Sequence, residues 1–329
     1  MNQVQPDFDV VEIVKRANAT TGERFWCPGI TALTAEETVN VLKDSATSYF
    51  VPGVVAADDS ILKISNSQFP DSVEQESKKA RLARGILSGD LAEAIPSALF
   101  EGRLAGRSFA IWPKYRPISG YKIVRAAQKR LLYDDVFAWL RGVAEASIDR
   151  KLTADAIVQR CRLPLEHIRT HRQLGEEIRS LAHQALQRLD EGDWHPVSIL
   201  QHSDLWLGNI LLPIRKPRND KFPFFVIDWG GSVIDGAPAL DMVRFCMSAN
   251  VNLRRAHREF LYYASAIQIS LEELVFEIVV GLGLIGTNLN EFPEDRFVDL
   301  CKSIFDFLRT VGFSASVRIA TQGANQRIA

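Results

Sequence analysis

The stretch His202-Ser203-Asp204-Leu205-Trp206-Leu207-Gly208-Asn209, followed by Val226-Ile227-Asp228-Trp229-Gly230, decides how the rest of the chain is read. Asp204 and Asn209 stand five positions apart, and Asp228 leaves an apolar run. Between Asn209 and Asp228 lie two apolar segments, Ile210 to Leu212 and Phe224 to Ile227. They flank Arg215-Lys216-Pro217-Arg218-Asn219-Asp220, whose Pro, Asn and Asp are turn formers. The pattern predicts a hairpin, and a hairpin brings its ends together. One carboxamide and one carboxylate can then converge on a single cation. Mg²⁺ is satisfied by few protein ligands because substrate phosphate oxygens and water supply the rest. A phosphoryl-transfer site without a Walker-type loop is built from such parts: an Asp beside the attacking hydroxyl, then an Asn and an Asp on the metal. A lone His-x-Asp is more often a turn. The ordered set of Asp204, Asn209, hairpin and Asp228 points to phosphoryl transfer.

These residues resemble the catalytic core of the aminoglycoside phosphotransferase and choline kinase-like families, relatives of the protein kinases. Those families carry His-Gly-Asp-x-x-x-x-Asn, then Ile-Asp-Trp/Phe, then Gly-Asp-Pro-x-x-Asp. Here Ser203 replaces the usual Gly, and the last element reads Gly236-Ala237-Pro238-Ala239-Leu240-Asp241. The Asp-Leu-Trp-x-Gly-Asn variant is also similar to ketosamine kinases, although Asp228-Trp229 departs from their usual Asp-Pro. The resemblance implies an α+β, bilobal protein-kinase-like fold with a small antiparallel-sheet N-lobe and a mainly helical C-lobe. It makes Asp204 the catalytic base and Asn209 and Asp228 the ligands of Mg²⁺, with ATP as phosphate donor. His202 becomes a loop-supporting residue. Asp241 becomes a helix-start carboxylate bonding the amides of the catalytic loop.

Working outward, the chain reads strands first and helices later. A leading helix is expected over Asp9 to Ala17. Thr38 to Lys43, Tyr49 to Ala56 and Ser60 to Ile64 predict a three-strand meander, a helix follows over Val73 to Leu87, and Ala98 to Phe100 and Ser108 to Trp112 read as two more strands. The implied organisation is an N-lobe over residues 1–112, a hinge over 113–120, a helical C-lobe with the catalytic hairpin over 121–313, and a polar tail over 314–329. Backbone groups of the hinge bind adenine in the family, which singles out Trp112 to Lys114, with a plain loop around a buried Trp as the alternative.

The N-lobe should supply a lysine for the ATP phosphates and a glutamate to hold it. Lys63 sits inside the apolar strand Ser60-Ile61-Leu62-Lys63-Ile64-Ser65. Its partner is Glu74 or Glu76. At about 100° per residue Glu76 lies at the edge of the stripe Val73, Ser77, Ala80, Arg84, Leu87, and Glu74 lies well off it, which favours Glu76. The phosphate loop would fall at Lys43-Asp44-Ser45-Ala46-Thr47-Ser48, where Ser45 and Thr47 are candidates. It holds no glycine, which argues against a typical protein kinase and leaves a catalytically silent, nucleotide- or partner-binding protein as the alternative.

Composition sets the frame. Of 329 residues, 47% are hydrophobic and 24% charged, with a formal net charge of −1, so neither nucleic acid nor an anionic surface is an expected partner. The first ten residues lack a basic-then-apolar signal, and the longest uncharged apolar run, Ile278 to Ile285, is too short to span a bilayer. A cytoplasmic location is expected. Cys27, Cys161, Cys246 and Cys301 are scattered and suggest neither a zinc site nor a disulfide framework. His167 and His171 stand at i, i+4 with no evident acidic third ligand, and a solvated helix face is the expectation. Glu272, Glu273, Glu277, Glu291, Glu294 and Asp295 could face a cationic acceptor, or serve as ordinary exposed helix charges. The acceptor expected is the hydroxyl of a small molecule, a sugar, amino alcohol or aminoglycoside.

Overall fold

The computed structural model describes residues 10–21, 31–32, 46–51, 60–214, 221–289 and 293–313. In chain order they form α1 (Val10–Thr21), β1 (Thr31–Ala32), β2 (Ala46–Val51), β3 (Ser60–Ser65), α2 (Ser72–Ile86), α3 (Gly89–Glu93), β4 (Phe100–Leu104) and β5 (Arg107–Pro113). There follow α4 (Lys122–Ser147), α5 (Ala154–Ile157), α6 (Leu163–Thr170), α7 (Glu176–Glu191), β6 (Ile199–Gln201), β7 (Ile210–Leu211), β8 (Phe225–Val226) and β9 (Val233–Gly236). The chain closes with α8 (Leu240–Ala249), α9 (Leu253–Ala266), α10 (Leu271–Thr287) and α11 (Glu294–Leu308). Two units result: residues 1–120 with 210–231, and residues 121–209 with 232–329. The hairpin therefore clusters with the sheet and not with the helices.

In the first unit five strands run antiparallel in the order β1-β2-β3-β5-β4. The period of two along β3 sends Leu62 and Ile64 to one face, where they pack with Phe109, Ile111 and the α1 residues Ile13 and Ala17. Lys63, registered opposite Ala110, takes the other face, where Val73 of α2 packs on Ala110 and Trp112. The start of α2 is tied to the sheet by two buried serines. Ser65 Oγ accepts the amide of Val73 at 3.0 Å and Ser108 Oγ that of Glu74 at 3.2 Å. Asp71, at the N-cap, makes no side-chain cap. Strand residues thus satisfy first-turn amides of α2 and fix where its faces point.

One expectation about this unit needs revision. Ala46 and Thr47 fall inside β2, paired with Ser65 and Ile64, where a turn was expected. The ladder with β3 outweighs the polar composition of that stretch. Thr38 to Lys43 lies outside the described residues.

The second unit is helical around α10, whose residues are buried on nearly every side. The apolar run Ile278 to Ile285 belongs to this core helix, and no described helix is long and apolar enough to cross a membrane. Pro164 of α6 presses its carbonyl against Gly283, where an added Cβ would come within 2.4 Å. Glycine is required there because two helix backbones meet. His167 and His171 do not lie on a solvated face. Their rings pack on each other and on Phe297, the His171 side chain is 7% exposed, and its Nε2 lies 3.5 Å from Glu294. Burial and the neighbouring His171 lower the pKa of His167.

Glu277 is the least expected member of this core. It is 1% exposed, its Oε1 accepts the Val197 amide at 2.9 Å, and burial pushes its pKa up to about 8. A carboxyl that binds its proton more tightly when folded makes stability fall as pH rises through that window. Glu277→Gln keeps an acceptor for Val197 and removes the titration. Urea unfolding should find the variant more stable than wild type at pH 9, by an amount on the order of a few kcal/mol, and the gap should close toward pH 5.

Candidate active site

In the first unit the Lys63 ammonium lies 2.6 Å from Glu76 Oε2 and 3.8 Å from Asp228 Oδ1. Glu76 is 9% exposed and stands on the buried stripe of α2. Glu74, the other candidate, is turned outward to Arg103. A buried carboxylate is tolerable only with a cation to meet it, and Lys63 is that cation.

Asp228 is delivered by the hairpin. β7 and β8 pair Ile210 with Val226 and Leu211 with Phe225. The hairpin is anchored on the segment that follows β5, where Arg116 and Leu212 exchange two backbone hydrogen bonds of 2.9 and 2.8 Å and Tyr115 stacks on Phe225. Val226 also donates its amide to the Ala94 carbonyl. Asp228 then adopts φ of 66°, a left-handed conformation that Asp accepts more readily than most residues. The turn after it is held by the buried indole of Trp229, which donates to the Val226 carbonyl, and by Lys79, whose ammonium donates to the Gly230 carbonyl at 2.7 Å. Burial lowers the pKa of Lys79. Lys79 was not singled out in the sequence. Its signal was there, since it lies three residues beyond Glu76, which places both on one face of α2.

In the second unit the loop from His202 to Asn209 is folded tightly on itself. His202 is buried, and its Nδ1 accepts the Asp204 amide at 3.3 Å. Asp241, in the first turn of α8, accepts the His202 amide on Oδ2 at 2.6 Å. Burial raises the pKa of Asp241, and His202 and the amides it accepts work against that rise. Asn209 donates through Nδ2 to the Asp204 carbonyl at 2.9 Å, which orients the carboxamide and leaves its oxygen for another partner. Trp206 folds over Gly208, where an added Cβ would meet the indole ring at 2.2 Å, so the Trp-Leu-Gly spacing of this loop is steric. Arg244, one turn after Asp241 on α8, donates through Nη2 to Asp204 Oδ1. Sequence reading missed it, because an Arg three residues after a helix-start Asp carries no local signal.

Of the remaining candidates, Trp112 lies in β5 opposite Ile61, and Lys114 is half-buried just beyond the strand. Thr47 lies in β2, and Ser45 falls outside the described residues. Of the acids considered for a cationic acceptor, Glu272 faces Arg188, Glu273 closes the capping box of α10, Glu277 is buried and Glu294 faces His171, while Asp295 lies in the first turn of α11 and Glu291 falls outside the described residues. Cys161, Cys246 and Cys301 are buried free thiols, and burial raises the pKa of each. Among the described residues no three His, Cys, Asp or Glu side chains gather as a metal cluster.

No family model matches the sequence, and neither does any curated protein. Solved structures do share the fold. One is titled "Putative fructosamine-3-kinase" from Haemophilus somnus 129PT and aligns with a TM-score of 0.52 at 13% identity, over 90% of this chain and 96% of that one. Looser alignments are to the choline kinase LicA from Streptococcus pneumoniae (TM-score 0.48, 9% identity, 91% and 98% covered) and to an aminoglycoside-3'-phosphotransferase of type VIII (TM-score 0.41, 18% identity, 82% and 97% covered). The chain has an α+β, protein-kinase-like fold. At these identities the likeness fixes the fold and leaves the chemistry to the residues.

Ser203 carries a testable local cost. Its φ is 71°, in the left-handed region that penalises a Cβ by about 1 kcal/mol. This explains why glycine is usual at this position in the families the loop resembles. Ser203→Gly should raise the urea midpoint by a margin equivalent to roughly 0.5 kcal/mol, after the larger unfolded-state entropy of glycine is offset, whereas Ser203→Val should lower it.

Proposed function

We propose that the chain is a phosphotransferase that moves the γ-phosphate of ATP, with Mg²⁺, to a hydroxyl group of a small molecule. The observation that carries this reading is the Lys63 ammonium, held 2.6 Å from the buried Glu76 and 3.8 Å from Asp228. A lysine fixed at one end by a carboxylate, with a second carboxylate alongside, suits the oxygens of a nucleotide phosphate and its counterion. Half of the Asp228 side chain is open to solvent, and the Asn209 carboxamide is oriented by its bond to Asp204. Both are hard oxygen donors of the type Mg²⁺ selects, so the donor set fits the metal. When bound, Mg²⁺ neutralises charge on the phosphate groups.

The protein's own residues then divide the work. Lys63 binds phosphate oxygens, and Glu76 keeps its ammonium from turning away. Asp204 orients the acceptor hydroxyl and takes its proton as the oxygen attacks phosphorus. Arg244 positions the Asp204 carboxylate by donating to one of its oxygens. His202 and Asp241 hold the loop. Adenine falls to the backbone of Trp112 to Lys114.

Two substitutions separate the roles of the carboxylates. Asp228→Ala should abolish Mg-dependent ATP binding in a folded protein. Asp204→Asn should leave ATP affinity nearly unchanged and lower kcat by about 10²- to 10⁴-fold, with no rescue by excess Mg²⁺. Titration calorimetry and a phosphate-transfer assay over sugars, amino alcohols and aminoglycosides read the two effects. An Asp204→Asn enzyme with most of its turnover would overturn the assignment. A double-mutant cycle tests the N-lobe half. Lys63→Met and Glu76→Gln should be strongly non-additive in ATP affinity, because either one removes the same phosphate contact. Additive losses would separate the two residues functionally.

A further inference from the structure

The Asp228 carboxylate has little of its own to aim it. Half of the side chain is open to solvent, and Lys63 stands 3.8 Å away, beyond hydrogen-bond length. Among the described residues the carboxylate takes no hydrogen bond. Its direction therefore comes from the backbone, held at a φ of 66° that a chain seldom adopts unaided. Two bonds hold that turn. One is local, from the Trp229 indole to the Val226 carbonyl at 2.9 Å. The other comes from outside the hairpin, where the Lys79 ammonium of α2 donates to the Gly230 carbonyl at 2.7 Å.

Lys79 is half-buried, and among the described residues no carboxylate pairs with it. An ammonium taken from water normally finds an acid. Here its charge is spent on a carbonyl, and a charge-assisted bond is stronger than a neutral one. Glu76 lies three residues before it on the same helix face and holds the Lys63 ammonium at 2.6 Å. One helix thus ties the lysine of the site through Glu76 and the turn of Asp228 through Lys79. The 3.8 Å between Lys63 and Asp228 is set by both ties.

We propose, resting on the phosphotransferase reading above, that Lys79 is a positioning residue that gives the site its preference for Mg²⁺ over larger divalent cations. Mg²⁺ demands a near-ideal octahedron of oxygens at about 2.1 Å, whereas Ca²⁺ accepts about six to eight oxygens at roughly 2.3–2.6 Å in adaptable geometry. A carboxylate fixed in direction suits the first. One free to swing deprives Mg²⁺ of its geometry and matters little to Ca²⁺. Groups that orient a metal ligand from behind are worth about 10- to 100-fold in metal affinity. Lys79 acts on the backbone two residues beyond Asp228, so a change there leaves the carboxylate and the Lys63–Glu76 pair chemically intact.

Calorimetric titration of the full chain with ATP, over a series of Mg²⁺ or Ca²⁺ concentrations, tests this. In Lys79→Met the half-saturating Mg²⁺ concentration should rise by about tenfold or more, that of Ca²⁺ should change far less, and ATP affinity in a chelator should stay as in wild type. Lys79→Arg, which keeps the charged donor, should keep the preference for Mg²⁺. Lys79→Gln, shorter and uncharged, should behave as Lys79→Met and replaces it if that variant does not fold. A second readout needs no metal. Hydrogen exchange of the Trp229 indole N–H, followed by ¹⁵N NMR and assigned by its loss in Trp229→Phe, should be faster in Lys79→Met. Unchanged Mg²⁺ dependence, equal weakening with both cations, weaker ATP binding in the chelator or unchanged indole exchange would each overturn the role of Lys79 and leave the phosphotransferase reading standing. A wild type whose ATP binding ignores the cation would overturn that reading, and the role of Lys79 with it.

Discussion

An ammonium group inside an apolar β-strand is the constraint on which the first unit is organised. Lys63 cannot leave the sheet without breaking the ladder with β2 and β5, and it cannot stay uncompensated without a desolvation cost of several kcal/mol. Glu76 meets it, and that fixes the rotation of α2. The same rotation turns Lys79 toward the Gly230 carbonyl, which steadies the turn that presents Asp228. Two charged side chains on one helix face therefore hold the lysine and the carboxylate of the site together. Ser65 and Ser108 set the height of that helix by accepting its first amides.

The loop from His202 to Asn209 is organised on a different principle. Backbone amides and carbonyls are taken up by His202, Asp241 and Asn209, so the loop's shape is a hydrogen-bond network anchored on α8. Such a network is rigid only when complete. Arg244 brings a cation to Asp204 from the same helix, and α8 thus supports the loop at its backbone and at its one exposed carboxylate. The Asp204 carboxylate is thus already paired with a guanidinium.

Much of this was legible in the sequence because it rests on local periodicity and on ordered spacing. Lys63 inside an alternating strand, Glu76 on the helical stripe and the hairpin between Asn209 and Asp228 each follow from rules that act over fewer than about twenty residues. What escaped were effects decided by distant partners. Thr47 became strand because β3 offered it a ladder. His167 and His171 were buried because Phe297, far along the chain, covers them. Arg244 mattered because α8 lies beside the loop, and Glu277 entered the core because Val197 offered its carboxylate an amide. In each case the local pattern was compatible with two environments and tertiary packing selected one.

The central claim is that Lys63, Glu76 and Asp228 form a site for nucleotide phosphates that depends on a divalent cation. The most direct measurement is the thermal stability of the wild-type chain with ATP, in the presence and absence of Mg²⁺. A ligand that binds only the folded state raises the midpoint in proportion to RT ln(1 + [L]/Kd), so saturating ATP with Mg²⁺ should raise it by several degrees and ATP with a chelator should raise it little. An equal shift with and without Mg²⁺, or none in either, would contradict the account.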